Sequence, residues 1–471
     1  MRMTPIRAAS IAFTCTGLQK LGLSEETLAT FSMPFREGMY QEDRLRRLGD
    51  NIKGKWQDTV IAGGPRWSGN VPARQPLRAA PAERSFRDVG PPEARERQEP
   101  TPITVHALLL LYTKTAEEAD AWAREVVAAI ASHGVEVVHE LPLDLRKQGS
   151  IVREHFGFAD GLSQPIPYDE KSADPAAPDC VAWNSGQPMQ RDPVHGVPLG
   201  EILLGHVNGH HEPSPGPLVS IADKEAQATL PAAGAPEGFL NLGVDGSYLV
   251  VRELRQNVAA FWKSAEDAAA LICKHDPAAK VTATSLAERI AGRTLDGDMF
   301  RPKGETLPKD PYGLPANDFR FRNEDPYGLG CPLGSHVRRA NPRDSLANAP
   351  SEADTLLDAA NNHRILRRGR KYGPTLAPPY QDDGADRGLL FICLNTDIAR
   401  QFEFVQQTWL LNSNFHTLFD ETDPLVGPKG PFTLPEEPLR RRVPVETFIK
   451  LAGGEYFFLP SIAALKYLAL K

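Results

Sequence analysis

Twice, near opposite ends of its length, the chain sets an apolar run of strand length directly before an amphipathic helical stretch. Residues 103–112 (Ile-Thr-Val-His-Ala-Leu-Leu-Leu-Leu-Tyr) form the first run. A helix is predicted over 113–133, with Thr115 as N-cap and Glu117 and Glu118 in its first turn. Gly134 closes it, and Val135–Leu141 is predicted as a second strand. The pattern returns in the strand 388–394 and the helix Asp397–Asn412, whose apolar face is Ile398, Phe402, Phe404, Val405 and Trp409. A third such unit begins at Ser247 and continues as a helix from Gln256 to Cys273, and a short helix is expected over 280–292. Strand–helix units of this kind predict two related α+β halves.

The segments between these units are rich in proline. The chain carries 42 Pro in 471 residues, about 9%, against an ordinary ~5%. With 38 Gly, this predicts long ordered connections, near 164–200, 207–217 and 302–316. A domain boundary is expected near 215, giving units 1–215 and 216–471.

Several function classes are disfavoured. A net charge of -7 argues against a nucleic-acid protein, which needs a basic surface. Neither a Walker phosphate loop nor a GxGxxG after a strand is present, and HExxH and GxSxG are also missing. No apolar run approaches the ~18–20 residues of a membrane span. Cys15, Cys180, Cys273, Cys331 and Cys393 are scattered and form no CxxC pair, which fits a reducing, cytoplasmic compartment. Arg2 and Arg7 precede an apolar stretch at 8–15 that loosely mimics a secretory signal; its shortness favours a buried strand.

Four segments could carry chemistry. His206, His210 and His211 share a loop, but without the ligand spacing of a structural zinc site they read as a solvated polar loop. In Phe156–Pro165, Gly157 and Gly161 bracket Asp160 in a tight turn. In 331–343, His336 follows a Pro- and Gly-containing turn, and Arg338, Arg339 and Arg343 could receive an anionic cofactor. In 363–373 an arginine run is interrupted by Ile365 and Leu366, so part of it is buried, and a buried guanidinium wants an anion.

The segments GFADG, CPLGSHVRRANPR, HRILRRGRKYG, GLLFICLNTD and GGEYFF, in this order, resemble the dye-decolorizing (DyP-type) haem peroxidases. The resemblance spans most of the chain. It implies an α+β fold of two ferredoxin-like lobes, with antiparallel sheets and helices on their outer faces. Haem b would sit in the C-terminal lobe and Asp160 would come from the N-terminal one. Relatives usually carry an opening strand and helix before the segment that here starts at Ala9, so the N-terminal lobe is expected to lack its opening elements.

The resemblance also implies roles. His336 matches the axial ligand of the haem iron, with Arg338 and Arg343 as cofactor-binding cations. Asp397 matches the position of the carboxylate that accepts from the ligand's other nitrogen; the alternative is a helix N-cap. Asp160 matches the acid–base residue that takes a proton from the inner oxygen of hydrogen peroxide and returns it to the outer one. Arg367 matches the arginine that steadies the anion. Trp409 is either a radical relay to bulky donors or simply core. An ordinary aspartate titrates near ~3.9, so an acidic optimum for dye oxidation is expected. The implied partners are hydrogen peroxide and small phenolic or dye-like donors, with no membrane and no nucleic acid, and a homodimer is in keeping with the family. The rival expectation is a haem-handling protein that stores haem or extracts its iron.

Overall fold

The computed structural model describes residues 7–70, 102–144, 147–148, 151–168, 180–181, 188–189, 192–234, 236–310, 313–378, 380–436 and 440–471. Part of the expected proline-rich connection near 164–200 lies outside them.

The fold is α+β and is organised on one extended sheet. Its strands are β1 (Ala8–Phe13), β2 (Trp67–Ser68), β3 (Ile103–Thr104), β4 (Ala107–Tyr112), β5 (Leu143–Asp144), β6 (Ser247–Gln256), β7 (Leu366–Arg367), β8 (Arg370–Tyr372), β9 (Gly388–Asn395) and β10 (Ile449–Leu459). The main path runs β3-β2-β10-β6-β9-β8-β5. β6 lies at the centre, antiparallel to β10 from Ser247↔Leu459 to Gln256↔Ile449 and to β9 from Tyr248↔Asn395 to Arg255↔Gly388. β1 pairs with β4 along its whole length and meets β10 at Phe13↔Phe458.

Side chains alternate across this sheet, as the pleat requires. Tyr248, Val250, Cys393, Tyr456 and Phe458 enter one apolar layer; Leu249, Val251, Leu390, Ile392 and Phe457 enter another. Both faces are covered. That is why Gly388–Leu394 reads as a continuous apolar run and not as an alternating one.

Helix α1 (Ala116–Ala131) is capped as expected, with Thr115 Oγ1 accepting from Glu118 N at 3.2 Å. Helices α2 (Val258–His275) and α3 (Ala283–Ala291) also match the sequence reading, and α3 ends at Gly292 in the left-handed conformation. Phe261 on α2 packs tilted against Phe156, with ring centroids 4.5 Å apart, and Trp262 Nε1 donates to Phe156 O at 3.2 Å. The loop that carries Asp160 is therefore anchored to the core on one side.

Three expectations change. The run 103–112 is broken at Val105 and His106, where the chain passes from pairing with β2 to pairing with β1. Residues 135–141 form no strand; only Leu143 and Asp144 pair with β8. The helix expected over 397–412 is a π-helix across 399–403 and 405–410. Glu403 N bonds Ile398 O at 2.9 Å and Leu411 N bonds Gln406 O at 3.0 Å, each five residues back. Its apolar face is buried as expected, at Ile398, Phe402, Val405 and Trp409.

Candidate functional site

Asp160 stands on a loop whose backbone leaves little freedom. Gly157 and Gly161 take φ +102° and +77°, a region that penalises a side chain. Asp160 N donates to Val152 O at 2.9 Å and Ala159 N to Leu295 O at 2.9 Å. Glu154 accepts from Phe156 N and Phe158 N, both at 2.8 Å. Arg153 Nη1 holds Gly157 O at 2.9 Å. So fixed, Asp160 Oδ1 lies 4.0 Å from Arg367 Nη1. Arg367 is seated by β7, which pairs it with Cys393. Its N–H donates to Gln164 Oε1 at 3.0 Å and its Nη2 to Ser163 O at 3.1 Å. Both side chains are about one-third exposed, at 32% and 36%, so the pair can meet a small molecule.

His336 opens the short helix α4 (His336–Ala340). Its Nδ1 donates to Asp423 Oδ2 at 2.9 Å. Asp423 has no exposed surface, and its other oxygen accepts from Leu425 N and Val426 N at 2.9 Å each. Burial pushes the Asp423 carboxyl up, but the His336 ring, the Val426 amide and the charge of Arg339 hold it below the usual carboxylate range. Burial pushes His336 down, and Asp423 more than reverses this. The charges of Arg367 and Glu154 act on the same ring in opposite directions, Arg367 lowering it and Glu154 raising it. With a proton on Nδ1, the neutral ring carries its lone pair on Nε2, free to bind a metal.

A third group is cationic. Arg293, Arg343 and Arg364 are each buried, as is His195. Burial, then Arg367, pushes Arg364 down to about 10. Burial lowers Arg343 further, and Arg364 and Arg293 add to it. His195 is pushed down to about 4 by burial, then by Arg343 and Arg364. Arg364 Nη1 and His195 Nδ1 are buried without a partner. Three guanidiniums that depress one another, with an unfilled donor on Arg364, fit an anionic ligand.

Sequence comparison then decides the family. No protein-family model matches the chain. The multifunctional dye peroxidase DyP2 of Amycolatopsis sp. is 31% identical over 384 residues, 78% of this chain and 71% of that protein. The chain belongs to the dye-decolorizing peroxidases. It is a haem peroxidase, and its cofactor is haem b. The DyP-type peroxidase of Anabaena sp. superposes with a TM-score of 0.64 at 24% identity, covering 99% of this chain and 81% of that one. An ancestral D-type dye-decolorizing peroxidase gives 0.65, again at 24% identity, covering 98% and 86%. The two-lobed, ferredoxin-like α+β fold is therefore shared.

The residues present fit a haem of this peroxidase. Its iron needs an imidazole backed by an acceptor, and its two carboxylates need cations; His336 with Asp423, and the orphaned Nη1 of Arg364 among its neighbours, offer both.

Asp160 and Arg367 are brought together, and His336 is joined to Asp423. Other expected residues of the peroxidase fall elsewhere. Asp397 does not meet His336: its Oδ1 accepts from Arg400 N at 2.9 Å, so it caps the π-helix. Arg338 is fully buried and bonds Ser345 Oγ, Asp325 O and Cys331 O, each at 2.9 Å; it braces the backbone before α4 and is not an open cation. Arg343 lies in the cationic group but gives Nη1 to Asn317 O and Phe319 O. Trp409 is 5% exposed, with Phe404 and His363 edge-on to it, so it is not a surface aromatic. His206 Nε2 donates to Asp245 Oδ1 at 2.7 Å, and no metal-holding cluster exists among the described residues. No described helix is long and apolar enough to cross a membrane.

Asp423, Arg364, Arg293, His195 and Glu154 were not singled out as site residues from the sequence. Asp423 lies 87 residues from His336, and its context, Thr422-Asp423-Pro424, reads only as a turn. Arg364 had a usable signal, since it adjoins apolar Ile365 and Leu366.

Proposed function

We propose that this peroxidase uses hydrogen peroxide to oxidise phenolic or dye-like donors in one-electron steps, with His336 on the haem iron and Asp160 and Arg367 handling the peroxide. The reading rests on the Asp160–Arg367 pair, 4.0 Å apart and partly exposed, together with an Asp423-backed His336.

When bound, haem supplies the redox-active iron at which peroxide is split. His336 Nε2 would bind that iron, and the Asp423 carboxylate would make the imidazole a stronger donor. Asp160 takes the proton from the inner peroxide oxygen and returns it to the outer one, so that water leaves. The permanent charge of Arg367 steadies the peroxide anion and then the negative charge developing on the leaving oxygen. Arg364, whose Nη1 is unfilled, would receive a haem carboxylate, with the charges of Arg343 and Arg293 adding to the attraction. A cytoplasmic location, a homodimer and small aromatic donors complete the proposal.

Storage or extraction of iron would need only the His336 side of this arrangement. The test is an absorption spectrum of the haem-loaded chain before and after peroxide, with dye turnover, for the parent and for Asp160→Asn and Arg367→Leu. The parent should change its Soret band and bleach the dye, and both variants should bind haem but turn over slowly. If haem binds and both variants match the parent, the roles given to Asp160 and Arg367 fall.

A further inference from the structure

Glu154 is half-buried, stands three residues before Gly157, and its two oxygens meet three N–H donors. Phe156 N reaches Oε2 and Phe158 N reaches Oε1, both at 2.8 Å, and Gln256 Nε2 reaches Oε2 at 2.9 Å. The first two donors are backbone amides of the loop that ends in Asp160. The third belongs to the last residue of β6, so the carboxylate ties that loop to the central strand of the sheet.

We propose that Glu154 is a positioning residue for Asp160 and that, with Gln256, it makes the reactivity of Asp160 depend on pH. This rests on the peroxide-handling role proposed for Asp160.

Ionised Glu154 is acceptor-only and satisfies all three donors, which fixes the loop. Protonated Glu154 has one O–H to place and would confront donors with a donor. Gln256 offers the remedy: its Oε1 is buried and unpartnered, and an amide flip would aim it at the new O–H. The loop amides then lose part of their anchor, and Asp160 turns from its place beside Arg367.

The charged groups around Glu154 are few. Asp160 is on the same loop and His336 on α4. The Arg153 guanidinium is turned to Gly157 O, Leu295 O and Asp296 Oδ1. β6 contributes only the neutral Gln256. Burial pushes the Glu154 carboxyl up to about 7 against its three donors, and Asp160 adds to the rise. The change therefore falls near neutrality, well above the range of an ordinary carboxylate, and opposes the acidic optimum expected from Asp160 alone.

The test uses the parent, Glu154→Gln and Gln256→Leu. Stopped-flow measurement of the peroxide-induced Soret change in the haem-loaded proteins, from pH 5 to 9, should show an inflection near neutrality in the parent. Glu154→Gln should lose that inflection and react more slowly, by up to ~10²-fold, the size of effect that a misplaced reacting group produces. Gln256→Leu removes one donor to the charged form and should move the inflection to higher pH. A second readout needs no haem: hydrogen exchange of the Phe156 and Phe158 amides should quicken in Glu154→Gln while the core strands stay protected. A Glu154→Gln protein with the parent's rate, pH profile and amide protection would overturn the proposal. If the parent itself does not respond to peroxide, the peroxidase roles fail, and the amide exchange still decides whether Glu154 holds the loop.

Discussion

Asp423 Oδ2 accepts the Nδ1 proton of His336 at 2.9 Å while its other oxygen is held by two backbone amides. The carboxylate is thus fixed before any iron binds, and the imidazole is fixed by it. Removing an orienting partner of a metal-bound histidine typically costs ~10–100-fold in affinity or activity. Asp423→Asn should fall in that range, because Asn keeps an acceptor but loses the charge. Asp397→Asn should change neither haem affinity nor turnover, since Asp397 serves Arg400 N. Haem titration and dye turnover on the two variants check this directly. An Asp397→Asn protein impaired like Asp423→Asn would reverse the assignment.

Asp160 and Arg367 should divide differently between binding and rate. Asp160 moves a proton, so Asp160→Asn should lower the rate of the peroxide reaction by ~10²–10⁴-fold. Arg367 stabilises charge without exchanging a proton, so Arg367→Leu should cost ~10²–10³-fold. Both should keep normal haem loading, because neither belongs to the His336–Asp423 pair. Rate constants at several peroxide concentrations, with haem content measured alongside, separate the two effects.

The long apolar and amphipathic segments were legible because their signal is local. The 388–394 strand shows itself as a continuous apolar run and the 258–275 helix by its own periodicity. The strand expected at Val135–Leu141 has the right composition, but no described strand lies beside it to pair with, and a strand is made by its neighbour. The π-helical winding at 399–410 was illegible for a related reason. Its wide turns leave Trp409 O, Leu410 O and Asn412 O for Arg339 Nη1, which is brought there by α4. Within the site, His336, Asp160 and Arg367 each sit in a compact local motif. Asp423 does not, and only the fold carries it to His336.

Trp409 separates a packing role from an electron-transfer role. It is 5% exposed, with its ring edge-on to Phe404 at 5.4 Å and to His363 at 5.2 Å. Trp409→Phe should therefore oxidise a bulky dye at the parent's rate. Trp409→Ala leaves a cavity and should lose ~3–5 kcal/mol of stability. Dye turnover beside a urea unfolding curve tests both statements. A Trp409→Phe variant that keeps its stability but loses only bulky-dye activity would restore the relay.

Glu455 makes a prediction about stability and pH. It has no exposed surface, and its carboxyl accepts from Met39 N at 2.6 Å, Tyr456 N at 2.8 Å and Ser68 Oγ at 3.1 Å. Burial outweighs these donors and pushes the group up to about 7. The folded chain therefore holds a proton that the unfolded chain releases near ~4.3. The unfolded state binds fewer protons across that window, so stability falls as pH rises from about 4.5 to 7. At ~1.4 kcal/mol per pKa step, the loss is on the order of 3 kcal/mol. Glu154 is raised in the same way and adds to the same slope. Urea midpoints at pH 5, 6, 7 and 8 should decline in the parent and decline less in Glu455→Gln, which cannot ionise. Equal slopes in the two proteins would show that Glu455 is not the group responsible.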